Sequence, residues 1–133
     1  MTLQYSTTVR NAKLDAVETA IGTSPIMEIR SGAQPANCAA ADSGTVLATL
    51  TLPSDWLAAA SGGAKAKSGT WQDASADNSG TAAHFRIKDS GGTVCHAQGS
   101  VGVGSGDLQV DSVSFTAGQP FTVTAFTLTA GNA

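Results

Sequence analysis

The chain has 133 residues, enough for one domain with a single hydrophobic core. Only 13% of them are Asp, Glu, Lys or Arg and the net charge is −3, so the basic footprint of a nucleic-acid binder is missing. No apolar run approaches the ~20 residues that span a bilayer, and Met1 to Ser6 lack the basic and apolar regions of a secretory signal, so a cytoplasmic site of folding is expected.

Residues 6–22 read as the one helix. Ser6 or Thr7 caps it, and Gly22 shortly before Pro25 ends it. Arg10, Leu14, Val17 and Ile21 form a stripe at helical spacing, expected to close an open end of a β core. Val9, Ala12, Ala16 and Ala20 make a second, flatter face on which another copy or a partner can pack. Residues 25–31 read as a strand, with Met27 and Ile29 on one face and Ile26, Glu28 and Arg30 on the other. Gly32 to Gly44 is a long loop, the kind that marks a contact surface or a mobile arm. Thr45 to Leu52 is a strand with Val46, Ala48, Leu50 and Leu52 inward, stopped by Pro53. Ser54 to Ala60 stays open between a strand and a helical turn, with Trp56 buried either way.

After a thin strand at Ala64–Lys67 and a turn-rich Asp73–Gly80 comes the clearest pattern in the chain. Ala83, Phe85 and Ile87 alternate with His84, Arg86 and Lys88, a half-buried strand. A Ser90-Gly91-Gly92 loop closed by Asp89 and Thr93 predicts a hairpin. In it Ile87 faces Cys95, Phe85 faces Ala97 and Ala83 faces Gly99. The other face then collects His84, Arg86, Lys88, His96 and Gln98 and reads as a wet sheet face or an interface. Beyond the Gly102–Gly106 cluster, Leu108 and Val110 followed by Val113 and Phe115 predict two short strands or one kinked one. Phe121 to Thr129 is a last strand whose apolar parity switches at Phe126, which predicts a bulge or a strand leaving the sheet edge. Six to eight strands with regular turns indicate an all-β fold, an antiparallel sandwich or jelly roll with one N-terminal helix.

Candidate chemistry is thin. His84 and His96 are diagonal neighbours about 7–8 Å apart on one face, short of the ligands a metal needs. Asp73, Asp77 and Asn78 miss the calcium-loop spacing and read as a turn. Gly102-Val-Gly-Ser-Gly106 opens no helix, and no serine sits in a nucleophile elbow. No enzyme, cofactor or metal is expected. Cys38 and Cys95 are free thiols in a reducing compartment; a disulfide would tie the Pro35–Ala41 loop to the hairpin, and the sequence leaves both open.

Three stretches carry a resemblance: Tyr5-Ser-Thr-Thr-Val-Arg-Asn-Ala-Lys-Leu-Asp-Ala-Val17, Ile29-Arg-Ser-Gly32 through Leu47-Ala-Thr-Leu-Thr-Leu-Pro53, and Phe126-Thr-Leu-Thr-Ala-Gly-Asn-Ala133. Together they resemble a family of small proteins encoded among tailed-bacteriophage structural genes. The resemblance implies a non-enzymatic virion protein, such as a jelly-roll capsid decoration (cement) protein. Its implied partners are the phage major capsid protein and itself, as a trimer or dimer, with neither nucleic acid nor membrane. Its implied place is the capsid surface. The helix, the Gly32–Gly44 loop and the two chain ends are the expected contact surface. Its expected residues are Tyr5, Val9, Arg10, Lys13, Ala16, Gln34, Pro35, Asn37, His84, Arg86 and His96. The rival is a tail-tip or fibre-associated module binding a host glycan, which wants exposed aromatics, and a third reading is a head–tail or tail component.

Overall fold

The computed structural model describes residues 2–133. Helix α1 spans Thr7–Ile21; Ser6 Oγ accepts the Val9 N–H at 3.2 Å, and Gly22 ends it with φ at 93°. Ten strands follow: β1 (Ile26–Arg30), β2 (Val46–Thr51), β3 (Ala64–Ala66), β4 (Gln72–Asp73), β5 (Gly80–Thr81), β6 (His84–Lys88), β7 (Cys95–Gly102), β8 (Leu108–Val110), β9 (Ser114–Phe115) and β10 (Phe121–Thr129). The main sheet runs β2-β1-β6-β7-β8-β10-β3, with β4 also on β10, and β5 pairs β9 apart from it. The sheet is mixed, since β7 and β8 run parallel while the other pairs are antiparallel. The β-rich fold with one helix is therefore present. Among the described residues no helix is long and apolar enough to cross a membrane.

Alternation predicts β1 well: Met27 and Ile29 are fully buried. The hairpin of β6 and β7 has the expected faces but a different register. Ile87 pairs with Ala97, Phe85 with Gly99, and Lys88 with Cys95, with a bulge between Ile87 and Lys88. The cause is Asp89. Its carboxylate accepts the Thr93 and Val94 N–H groups, so the turn widens and closes at the bond from Asp89 N to Val94 O. Up to Ile87 the pairing moves by two residues, which preserves both faces there. Cys95, expected opposite Ile87 in the core, lies instead beside Lys88 on the outer face. Ala83, expected inward, is exposed where the strand begins. The bulge predicted in the last strand is present, between Val123 and Ala125.

Aromatic rings thread the core. Trp56 meets Trp71 at 5.9 Å, Trp71 meets Phe126 at 5.4 Å, and Phe126 meets Phe85 edge-on at 5.8 Å. Ser54 to Ala60 is neither strand nor helix, and Trp56 is buried, its indole N–H bonded to Gly22 O at 3.0 Å.

The helix docks through a face rotated from the expected one. Leu14 and Ile21 are buried as predicted, but Val17 is 38% exposed and Glu18 turns inward. The reason is Lys65 on β3, whose side chain is 3% exposed and whose ammonium sits 2.8 Å from Asp15 and 3.4 Å from Glu18. Burial disfavours that ammonium, and its hydrogen bonds to the Asp15 and Glu18 carboxylates outweigh it, raising its pKa. At the other end of α1, Gly63 has φ at 78°, and a Cβ there would fall 2.2 Å from the Arg10 guanidinium. Its N–H donates to Asn11 Oδ1 while Arg10 Nε donates to Ala130 O, tying helix, β3 and the chain end together.

The edge of β2 is covered rather than open. Asp73 accepts the Thr49 N–H, and Asp77 and Asn78 give their backbone N–H groups to Leu47 O. Asp77 Oδ2 also accepts the Thr49 hydroxyl at 2.8 Å, so both carboxylates of that turn bond to the β2 edge.

Candidate functional site

On the outer face of β1 and β6, side chains that alternation assigns to a wet surface are buried. His84 is 1% exposed, Arg86 2% and Lys88 6%. The Ser31–Thr45 loop roofs them. Its entry and exit lie against each other at Gly44, where φ is 67° and a Cβ would sit 1.8 Å from Ser31 O, so only glycine fits.

Arg86 holds the roof down. Nη2 donates to the carbonyls of Asn37 and Cys38 at 3.0 and 3.1 Å, and Nη1 donates to Ala40 O at 3.1 Å and to the Asp42 carboxylate. Nε donates to Gln98 Oε1 at 3.2 Å, and Gln98 Nε2 donates in turn to Pro35 O at 2.8 Å. Every face of the guanidinium is thus taken by loop or sheet. Arg30 joins Glu28 at 2.8 Å and Asp42 at 3.1 Å, and Lys88 joins Asp42 at 2.6 Å and Glu28 at 3.0 Å. Three cations share two carboxylates.

The ionisation states follow from these contacts. The hydrogen bond from Lys88 leads in holding the Asp42 carboxyl down at about 2, against some opposing desolvation and with help from Arg86 and Arg30. Burial works against the charged forms of Arg86 and Lys88, but their carboxylate partners more than offset it and both pKa values are raised. His84 Nδ1 lies 2.9 Å from Gly32 O and must be the donor there. Its Nε2 is the one buried side-chain polar atom without a hydrogen-bond partner among the described residues.

At the rim of the roof, Cys38 and Cys95 bring their sulfurs to 2.9 Å, beside a cleft of about 230 Å³ lined also by Asp42, Arg86, Lys88 and Thr93. Burial, then the neighbouring Cys38, pushes the Cys95 thiol up to about 11, so it stays protonated at neutral pH. As arranged, the cluster clamps a loop. Its carboxylates and cations are committed to one another.

Of the residues expected to form a contact surface, the structure buries His84 and Arg86. Both are corrected to interior groups that shape the loop, because the roof folds back over their face. His96 is exposed, beside the hairpin bulge. Tyr5, Val9, Lys13 and Ala16 are exposed on the helix side, with Lys13 Nζ 4.7 Å from the centre of the Tyr5 ring. Arg10 is partly buried against Ala130. Gln34 and Asn37 are exposed on the roof, and Pro35 is half-buried. Asp42, Glu28 and Arg30 escaped the sequence reading as site residues. Glu28 and Arg30 carried a signal, since they share the face that Arg86 and Lys88 occupy on the next strand. Asp42 carried none.

The low pKa of Asp42 sets a pH dependence. Its value of about 2 lies below the ordinary 3.8, so its stabilising effect is full above about pH 4 and fades as pH falls through 2. The urea midpoint is expected to drop between pH 5 and 2, and to drop less for Asp42→Asn. Equal slopes for the two proteins would remove Asp42 as the source.

Comparison with known protein families, with curated proteins and with solved structures finds no match.

Proposed function

We propose that this chain is a non-enzymatic virion structural protein, a capsid decoration protein of the tailed-phage kind that stabilises an assembled head through protein contacts. Its curled sheet would then be a variant of the jelly-roll sandwich, and it would act on the capsid surface with the major capsid protein and with copies of itself as partners. The observation that carries the reading is the outward side of α1. Val9, Ala12, Ala16 and Ala20 are all exposed there. Val9 is 42% exposed, and Leu3 and Tyr5 extend the apolar surface at 64% and 36%. Small side chains let another backbone approach closely, and a decoration protein must prefer assembled shells over free subunits. Both chain ends join this side, with Tyr5 N bonded to Asn132 O.

Against the glycan-binding rival stands the burial of Trp56 and Trp71, at 0% and 1% exposure, which leaves no tryptophan for sugar stacking. A head–tail or tail component differs from a shell-wide fastener in abundance, so copy number in purified particles separates the two.

In solution the protein is expected to sediment at a multiple of 13.2 kDa. The double variant Val9→Asp, Ala16→Asp is expected to sediment as a monomer, to keep its urea midpoint and to lose binding to phage heads. Unchanged mass and unchanged head binding in that variant would refute the helix as the contact element.

A further inference from the structure

We propose that Cys38 and Cys95 are a reversible redox-modification site, a disulfide that fastens the Ser31–Thr45 roof to β7. Several independent features converge on this pair. The sulfurs are 2.9 Å apart with no bond between them. Closing that gap to the ~2.05 Å of a bond needs a movement of about 1 Å. Neither backbone is free to drift away: Arg86 holds the carbonyls of Asn37 and Cys38, and Cys95 is fixed in the ladder opposite Lys88. Both side chains are half-buried, and the cleft of about 230 Å³ at their side admits a small reagent. The bulge that Asp89 forces is what turns Cys95 toward Cys38, because the unbulged register would leave it in the core.

The oxidant is a small-molecule disulfide of the glutathione class. A thiolate at Cys38 attacks one of its sulfurs, forming a mixed disulfide and releasing one thiol after protonation. Cys95, held protonated by burial, is the resolving group: it gives up its proton and attacks the Cys38 sulfur, releasing the second thiol. Two protein thiols are oxidised, one small disulfide is reduced to two thiols, and the 57-residue span between the cysteines becomes a closed loop. The pair works this way whether or not the chain decorates a capsid.

The test incubates the full chain with buffers of varied reduced-to-oxidised glutathione ratio, then quenches, alkylates under denaturing conditions and weighs it. The expected product is a monomer lighter by ~2 Da, with no alkylated cysteine and no retained glutathione, reversed by dithiothreitol. Its urea midpoint is expected to rise. Hydrogen exchange is expected to slow at the Ala40 N–H, which bonds to Asn37 O inside the roof. Cys95→Ser is expected to trap the mixed disulfide at Cys38, while Cys38→Ser is expected to take up several-fold less glutathione. Two alkylatable thiols at every ratio, a stable mixed disulfide in the wild type, or crosslinks only between chains would overturn the proposal.

Discussion

Arg86→Ala is expected to lower the unfolding free energy by about 3 kcal/mol, the lower end of what breaking a buried ion pair costs. The lower end applies because the Asp42 side chain keeps about a third of its surface in water, so solvent partly replaces its lost partner. The loss has more than one part. Without the guanidinium, the carbonyls of Asn37, Cys38 and Ala40 lose their donor, and Gln98 Oε1 loses Nε. Arg86→Lys is expected to recover only a fraction, since an ammonium cannot reach five acceptors that surround a planar fork. Urea unfolding followed by tryptophan fluorescence measures both variants. A double-mutant cycle with Asp42→Asn isolates the pairwise part. Wild-type stability for Arg86→Ala would mean that the roof is held by something else.

Phe85→Asp is expected to abolish folding altogether. Phe85 is 2% exposed and packs edge-on against Phe126, opposite Gly99. A Cβ at Gly99 would fall 2.8 Å from the Phe85 ring, so the ring fills the space that glycine leaves. A carboxylate there would sit among Phe126 and Gly99 with Asp107 close by, and burying it unpaired costs several kcal/mol on top of the lost packing. That sum approaches the ~5–15 kcal/mol by which domains are stable. Ala83→Asp, two residues earlier but exposed, is expected to change stability by less than about 0.5 kcal/mol. Soluble yield and the tryptophan emission maximum distinguish the two. Well-folded Phe85→Asp would reverse the assignment of faces on β6.

Sequence alone determined the helix, the longer strands and part of their inward faces. Ser6 and Gly22 bound the helix, Met27 and Ile29 point inward from β1, and the parity change near Phe126 marked a real bulge. All of these rest on the chain's own period or on a cap within a few residues, where the cause is local. Tertiary structure decided the rest. Whether His84, Arg86 and Lys88 face water depends on a loop that folds back from another part of the chain, and a loop has no period to read. The helix turned Glu18 inward and Val17 outward because Lys65, far along the chain, needed carboxylate partners in a dry place. The thiol pair arose the same way: one bulge and one roof, set by Asp89 and Arg86, brought together two sulfurs that spacing left unrelated. Period and capping act over a few residues, whereas burying a charge requires partners from wherever the fold supplies them, and that requirement is met only in three dimensions.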